Sequence, residues 1–332
     1  MKSNLPLIRL SAINPFLLEL QRRGVDAQPL LAELNLPSEI PASDDLFVAS
    51  TTIYEIVEES AKLADDKYLG FAIGVNLDLR AWNPIAAAAE RATSVGQLLA
   101  MFCVNAAEHS TATRFTLSTD GERSTFGLRR IEAPPFRPGQ NDAFYTGMML
   151  QLLKRATQRN WDAGQVIFSV ADPACVPAGD EVYRIAKGGK SGVQITFPSP
   201  WLFERFEKSR FHASTGESRS SDMPQSLVES VRSALLPHLN KSDLTVERAA
   251  AICGHDRRKL ARRLREEGTT LSREIAHLRA AKAQQELERS NQRIAAIGEG
   301  VGFTDPTVFS RAFKKWTGQS PQEYRRNHKS PD

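Results

Sequence analysis

Two copies of one short pattern dominate the last third of this 332-residue chain. In the first copy, residues 244–268, Thr245 is a predicted N-cap, a short helix follows, and Gly254 supplies a tight turn. Asp256 then caps a second helix that runs through Arg265. Every segment after residue 225 favours a helix, so this part of the chain is predicted to be all-α.

The second helix of this unit has two different faces. Leu260 and Leu264 lie four positions apart and share one face. The opposite face carries three arginines with one alanine beside them: Arg258, Arg262, Arg265 and Ala261. An arginine fork binds both acceptors of a guanine edge or clamps a phosphate, so this face suits nucleic acid.

The pattern recurs 49 residues later, in a unit predicted over residues 293–316. Asp305 caps the second helix of this copy, and Phe309 and Phe313 replace the two leucines. The polar positions are repeated as well, by Thr307, Arg311 and Lys314. Two copies with one polar face indicate two helix-turn-helix units (residues 245–266 and 293–316), far more strongly than one copy would.

The segment between the units, residues 271–289, is a nearly uninterrupted run of helix-forming residues. Its 19 residues span roughly 28 Å at ~1.5 Å each. Major grooves recur every ~34 Å along one face of B-DNA. A rigid helix of this length would place the two polar faces in neighbouring grooves of one site.

Residues 244–326 resemble the DNA-binding domain of the AraC/XylS transcription regulators. The most specific match is GFTDPTVFSRAFKKWTGQSP at residues 302–321, continuing to Tyr324 and Arg325. The resemblance implies base contacts from six residues: Arg258, Ala261, Arg262, Thr307, Val308 and Arg311. We expect phosphate contacts from Arg265, Lys314, Arg325 and Arg326, the last two on a short terminal helix.

Two glycines depart from the family pattern in the short helix of the second unit. Gly298 stands where the family usually has alanine, and Gly300 follows two residues later. An interior glycine costs a helix ~1 kcal/mol relative to alanine. The second unit is therefore predicted to be loose without DNA.

The charge is divided unevenly along the chain. Residues 1–226 carry a net charge of −3 and residues 227–332 one of +7. A basic surface of this kind either meets a polyanion or is simply solvated, and charge alone leaves both open. Residues 212–225 are rich in Ser, Gly and charge and predict an exposed linker. We therefore expect three parts: an effector-binding or dimerisation domain over 1–210, a linker over 211–225, and a DNA-binding domain over 226–332.

The N-terminal domain is predicted to be α+β and rich in helix. Helices are expected over 17–23, 52–63 and 144–155, a hairpin around Asp120-Gly121, and strands over 166–170 and 193–197. Residues 10–205 faintly resemble the arabinose-binding-like effector domain of one branch of the AraC/XylS family. Candidate effector contacts are Arg80, Trp82, Asn83, Asn105 and Arg129, with a structural or surface role as the alternative for each.

The same region lacks the sequence motifs of the catalytic sites that we considered. The glycines at 188–192 lack the first glycine of a phosphate loop, which would fall at Arg184, and there is no Gly-x-Ser-x-Gly elbow. Three separated cysteines fit a reducing cytoplasm, and neither a metal site nor a cofactor is expected. The expected partners are promoter DNA, a second copy of the chain and an unknown small effector, with RNA polymerase left open.

The sequence thus predicts a cytoplasmic DNA-binding transcription regulator that is not an enzyme. Two alternatives stay open: an N-terminal domain that only dimerises, and an enzyme fused to a DNA-binding module.

Overall fold

The computed structural model describes residues 5–34, 36–38, 46–79, 83–157, 160–178, 183–206 and 223–328. The N-terminal region holds seven helices and seven strands among these residues. In chain order they are β1 Leu7–Arg9, α1 Asn14–Arg22, α2 Gln28–Glu33, β2 Phe47–Ala49, α3 Ser50–Leu63, α4 Leu69–Asn76, α5 Asn83–Arg91, α6 Val95–Ala106, β3 Thr113–Asp120, β4 Arg123–Arg130, α7 Gly139–Thr157, β5 Ile167–Val170, β6 Arg184–Lys187 and β7 Gly192–Pro198. This confirms the predicted α+β class.

Five strands form the main sheet, in the order β3-β4-β7-β5-β6. The predicted hairpin is its first pair: Phe115 lies opposite Leu128, and Gly121 makes the turn with φ +57°. All neighbours are antiparallel except β5 and β6. Buried side chains from the sheet, α5, α6 and α7 form the largest core of the N-terminal region.

Helices α4 and α7 cross at very short range because glycines line the crossing. A Cβ atom at Gly74 would lie 2.1 Å from the carbonyl oxygen of Phe144. One at Gly147 would lie 2.5 Å from the carbonyl oxygen of Phe71. Any side chain at these two positions would force the helices apart.

A buried ion pair connects the sheet to α7. The Arg130 guanidinium donates to Asp142, at 2.5 Å, and to the Asn141 side chain, at 2.7 Å. The other Asp142 oxygen accepts the Ala171 amide at 2.8 Å. The Tyr54 ring of α3 lies 5.1 Å from the guanidinium carbon. A buried charge needs such partners, and removing one of them typically costs several kcal/mol.

The C-terminal region is all-α among its described residues, as predicted. Its helices are α8 Leu227–Leu235, α9 Val246–Ile252, α10 Arg257–Glu266, α11 Leu271–Arg289, α12 Ile294–Gly300, α13 Pro306–Thr317 and α14 Pro321–His328. Gly254 and Gly302 make the two turns with φ +67° and +85°, which confirms both helix-turn-helix units. No helix among the described residues is long and apolar enough to cross a membrane.

One hydrophobic core joins the two regions. Leu5, Leu7 and Phe47 are buried in the same cluster as residues of α8, α9 and α10. Met223, near the end of the predicted linker, is 8% exposed and belongs to this cluster. Helix α8 packs directly on β2. The division at 211–225 stays a prediction, with residues 211–222 outside the described part of the chain.

The second unit has a core of its own, built on aromatic rings. Phe309 and Phe313 are fully buried against residues of α11, α12 and α14. Gly298 lies against this core, since a Cβ there would come within 3.0 Å of the Phe309 ring, whereas Gly300 faces open space. The first glycine therefore makes room for a phenylalanine, and the second has no such role.

We expect Gly300→Ala to raise the melting temperature, because it removes a helix glycine that costs up to ~1 kcal/mol without creating a clash. Gly298→Ala is the matched control: the same gain is offset as the Phe309 ring is displaced. Thermal unfolding followed by circular dichroism measures both variants. A larger gain for Gly298→Ala than for Gly300→Ala would contradict this packing argument.

Candidate nucleic-acid interface

The first recognition helix, α10, presents the predicted arginines to solvent. Leu260 and Leu264 are fully buried behind it. Arg258, Arg262 and Arg265 are exposed, and Ala261 is half-buried between them. The Asp256 carboxylate accepts the backbone N–H groups of Arg258, at 2.9 Å, and Lys259, at 3.1 Å, so the predicted N-cap is confirmed.

Among the described residues, the partners of these arginines are weakly held. Arg262 Nε lies 4.0 Å from a Glu266 oxygen, with both side chains about 70% exposed. Arg265 Nε donates to the Ala261 carbonyl at 3.3 Å. Exposed pairs of this kind contribute little to the free energy of folding. Replacing them with nucleic-acid contacts therefore costs little free energy.

The second recognition helix, α13, repeats the arrangement. Thr307, Val308, Arg311 and Lys314 are all exposed, and Val308 is 48% exposed. The Asp305 carboxylate accepts the amides of Thr307, at 2.6 Å, and Val308, at 3.4 Å. These hydrogen bonds hold the pKa of Asp305 below its usual value, which keeps the cap ionised.

The two predicted terminal arginines differ in their surroundings. Arg326 is exposed, whereas Arg325 is half-buried and donates from Nη2 to the Gln292 carbonyl at 2.7 Å. Arg325 therefore holds the segment that leads into α12, while the exposed Arg326 can meet a phosphate. Helix α14, which carries both, begins at a capping box formed by Ser320 and Glu323.

Two further cations lie beside the predicted faces and were not among the predicted contacts. Lys259 of α10 and Lys315 of α13 are both exposed. Each follows a predicted contact by one position, at the edge of the polar face. A sequence prediction that counted the residue after each predicted contact as part of the polar face would have included them.

The predicted effector residues are spread over separate elements. Arg80 and Trp82 lie outside the described residues, and so does the side chain of Asn83. Asn105 is half-buried near the end of α6, and Arg129 is exposed on β4. The buried polar centre of the region instead contains Arg130, the next residue along.

A groove of about 440 Å³ lies between α2 and α3. Its lining combines apolar residues with three carboxylates: Pro29, Leu30, Leu34, Leu63, Glu33, Glu55 and Glu59. Burial, with Glu59 nearby, raises the pKa of Glu55. Asn105 and Arg129, the predicted effector residues whose side chains are described, do not line this groove.

Two family models match the chain. One, described as the arabinose-binding domain at the N-terminus of AraC transcription regulators, matches residues 24–186. The other, a helix-turn-helix domain, matches residues 249–327. The second match contains both recognition helices and all of α14 except His328.

The chain is also similar to individual proteins. The MmsAB operon regulatory protein of Pseudomonas aeruginosa is 33% identical over 30% of this chain, which spans about a third (32%) of that relative. The ornithine utilization regulator of the same organism is 24% identical over 91% of each chain. Among solved structures, the transcriptional regulator CdpR of P. aeruginosa matches over 95% of this chain and 98% of its own, with 17% identity and a TM-score of 0.38.

The exposed faces allow base reading to be separated from phosphate binding. Arg262→Ala or Arg311→Ala should cost ~1–3 kcal/mol on the best site and relax base preference at one position. Arg326→Ala should weaken binding to all sequences alike and lower the salt slope by roughly one unit. Titrations on a selected site and on scrambled DNA, at two salt concentrations, measure both effects.

Arg325→Ala serves as a comparison, because the loss of its bond to Gln292 should also lower the thermal stability of the second unit. Equal loss of affinity for both DNAs in Arg262→Ala would mean that α10 binds only the backbone.

Proposed function

Because this chain belongs to the AraC family of DNA-binding transcription regulators, we propose that it is a ligand-responsive member of that family. Its two recognition helices enter neighbouring major grooves of promoter DNA. One observation carries this proposal: α10 and α13 expose equivalent basic faces at the two ends of the 19-residue helix α11, and a different hydrophobic cluster lies behind each. We place the regulator in the cytoplasm, where promoter DNA lies.

The N-terminal domain is the proposed sensor. Its support is the match to the effector domain of AraC regulators over residues 24–186. A ligand that binds this domain changes DNA affinity only if it prefers one of two states of the protein.

The sensor function is tested on full-length protein purified from its host. Native mass spectrometry identifies small molecules that stay bound, and DNA titrations before and after their removal measure coupling. We expect affinity to change by about 5- to 150-fold, the usual range for coupled sites. Chemical turnover of the bound molecule would favour the enzyme alternative, and a ligand-free protein with constant affinity would favour the alternative in which the domain only dimerises.

We propose further that the N-terminal domains pair two copies of the chain. The supporting feature is α6, which has no charged residue along its twelve positions. Val104 on this helix is 68% exposed, and Phe203, in the turn that packs on α6, is 84% exposed. Pairing would raise the effective concentration of the DNA-binding regions on repeated half-sites.

Val104→Glu and Phe203→Glu should each shift the protein from dimer to monomer, because a charge would be buried in the apolar contact. Leu18→Glu is the matched control, since Leu18 is 65% exposed on α1 and should tolerate the same change. Sedimentation velocity at micromolar concentration gives the oligomeric state. A monomeric unsubstituted protein, or equal dissociation in the control, would refute this interface.

A further inference from the structure

The turns of the two helix-turn-helix units rest on different parts of the molecule. A Cβ at Gly254 would lie 3.3 Å from Thr51 Oγ1 and 3.4 Å from Ala49 Cβ, both in the N-terminal region. A Cβ at Gly302 would lie 2.7 Å from the Lys241 carbonyl oxygen and 2.8 Å from that of Leu239. The first turn therefore contacts the start of α3, and the second contacts the segment between α8 and α9.

A second contact reaches the first unit beside this turn. The His255 side chain is 9% exposed, and its Nδ1 lies 3.8 Å from a Glu132 oxygen, just after β4. Its Nε2 lies 3.2 Å from Arg263 Nη1, on α10. Because arginine only donates, Nε2 must accept, and the ring proton sits on Nδ1, toward Glu132. Burial lowers the pKa of His255, in keeping with this neutral form.

The hydrophobic cores divide the units in the same way. Leu260 and Leu264 of α10 share their cluster with Leu5, Leu7 and Phe47 of the N-terminal region. The cluster behind α13 is built from residues of the C-terminal region alone, among the residues described. Three kinds of contact (backbone packing, a polar pair and a core) thus connect the N-terminal domain to the first unit.

We infer that Thr51 and Glu132 are positioning residues for the first recognition helix. Through them the N-terminal domain sets how α10 enters its groove, while α13 engages its groove without that control. This inference rests on the proposed function and identifies the unit that the sensor domain regulates.

Helix α3 connects this contact to the interior of the N-terminal domain. Thr51 lies in its first turn, and Tyr54, one turn later, covers the buried Arg130 guanidinium. Glu58 accepts the backbone amide of Gln140 at 2.8 Å, near the start of α7. A rearrangement around α7 or β4 would therefore move the helix that supports the Gly254 turn.

The test uses full-length Thr51→Arg and Glu132→Lys on a DNA site selected with the unsubstituted protein. Matched controls are Thr116→Arg and Glu122→Lys, which make the same changes at exposed positions of the β3–β4 hairpin. Hydroxyl-radical footprints record protection of each subsite, and Arg262→Ala and Arg311→Ala show which subsite belongs to which unit. Thermal unfolding confirms that each variant is folded.

We expect both variants to lose protection at the α10 subsite and to retain it at the α13 subsite, with affinity reduced by about 5- to 150-fold. Adding His255→Glu to Glu132→Lys should restore the footprint, because the new carboxylate can pair with the new lysine across the same contact. Because Glu132 is 46% exposed, its variant tests the inference even if Thr51→Arg fails to fold.

Equal loss at both subsites, or unchanged footprints in the folded Glu132→Lys variant, would overturn the inference. If the unsubstituted protein gave no sequence-specific footprint, the proposed function itself would be refuted.

Discussion

The core shared by β1, β2 and α8–α10 supports the DNA-facing end of this molecule. Two strands of three residues each are too small to be stable alone, and α8 has an apolar face that needs a partner. The two strands and α8 cover each other's apolar surfaces, and α9 and α10 pack on the same cluster. Helix α10 has only two buried leucines to hold an arginine-rich front in place. The exposed basic face therefore depends on apolar contacts that reach into the N-terminal region.

The two units reach one arrangement with different core residues. Behind α10 the cluster is mostly aliphatic, with Phe47 as an aromatic member. Behind α13, Phe309 and Phe313 have ring centroids 5.8 Å apart, and Tyr324 packs edge-on against Phe313. Larger rings need room, and the missing side chain at Gly298 provides it. The second unit thereby obtains a self-contained core within the C-terminal region. The first unit shares the core that spans both regions.

Local signals account for what the sequence predicted well. Helix α11 was predicted over residues 271–289, as observed, because an N-cap and good helix formers define it without distant contacts. The turn glycines, the two capping aspartates and the hairpin at Gly121 are equally local. By contrast, β1 and β2 are three residues long and pair across about forty residues of chain, so neither has a periodic pattern.

The polar centre of the N-terminal domain also depends on contacts between distant parts of the chain, which the sequence pattern did not predict. Arg129 was a candidate, yet the buried guanidinium belongs to Arg130, since neighbouring strand residues point to opposite faces. Its partner Asp142 lies on α7, and only the tertiary fold brings the two together. The shared core and the contacts of the Gly254 turn are likewise non-local, so the link between the two regions was not predictable from pattern alone.

The aspartate caps of α10 and α13 have a consequence for how this protein holds DNA. The start of a helix usually offers free amides to an anion. Here Asp256 and Asp305 already accept two amides each, and their carboxylates fill the positive ends of both helices. The amides of Arg258, Lys259, Thr307 and Val308 are therefore not available to a DNA phosphate. Counterion release on binding therefore depends on the cationic side chains, while the capped helix starts can approach the base edges in the groove.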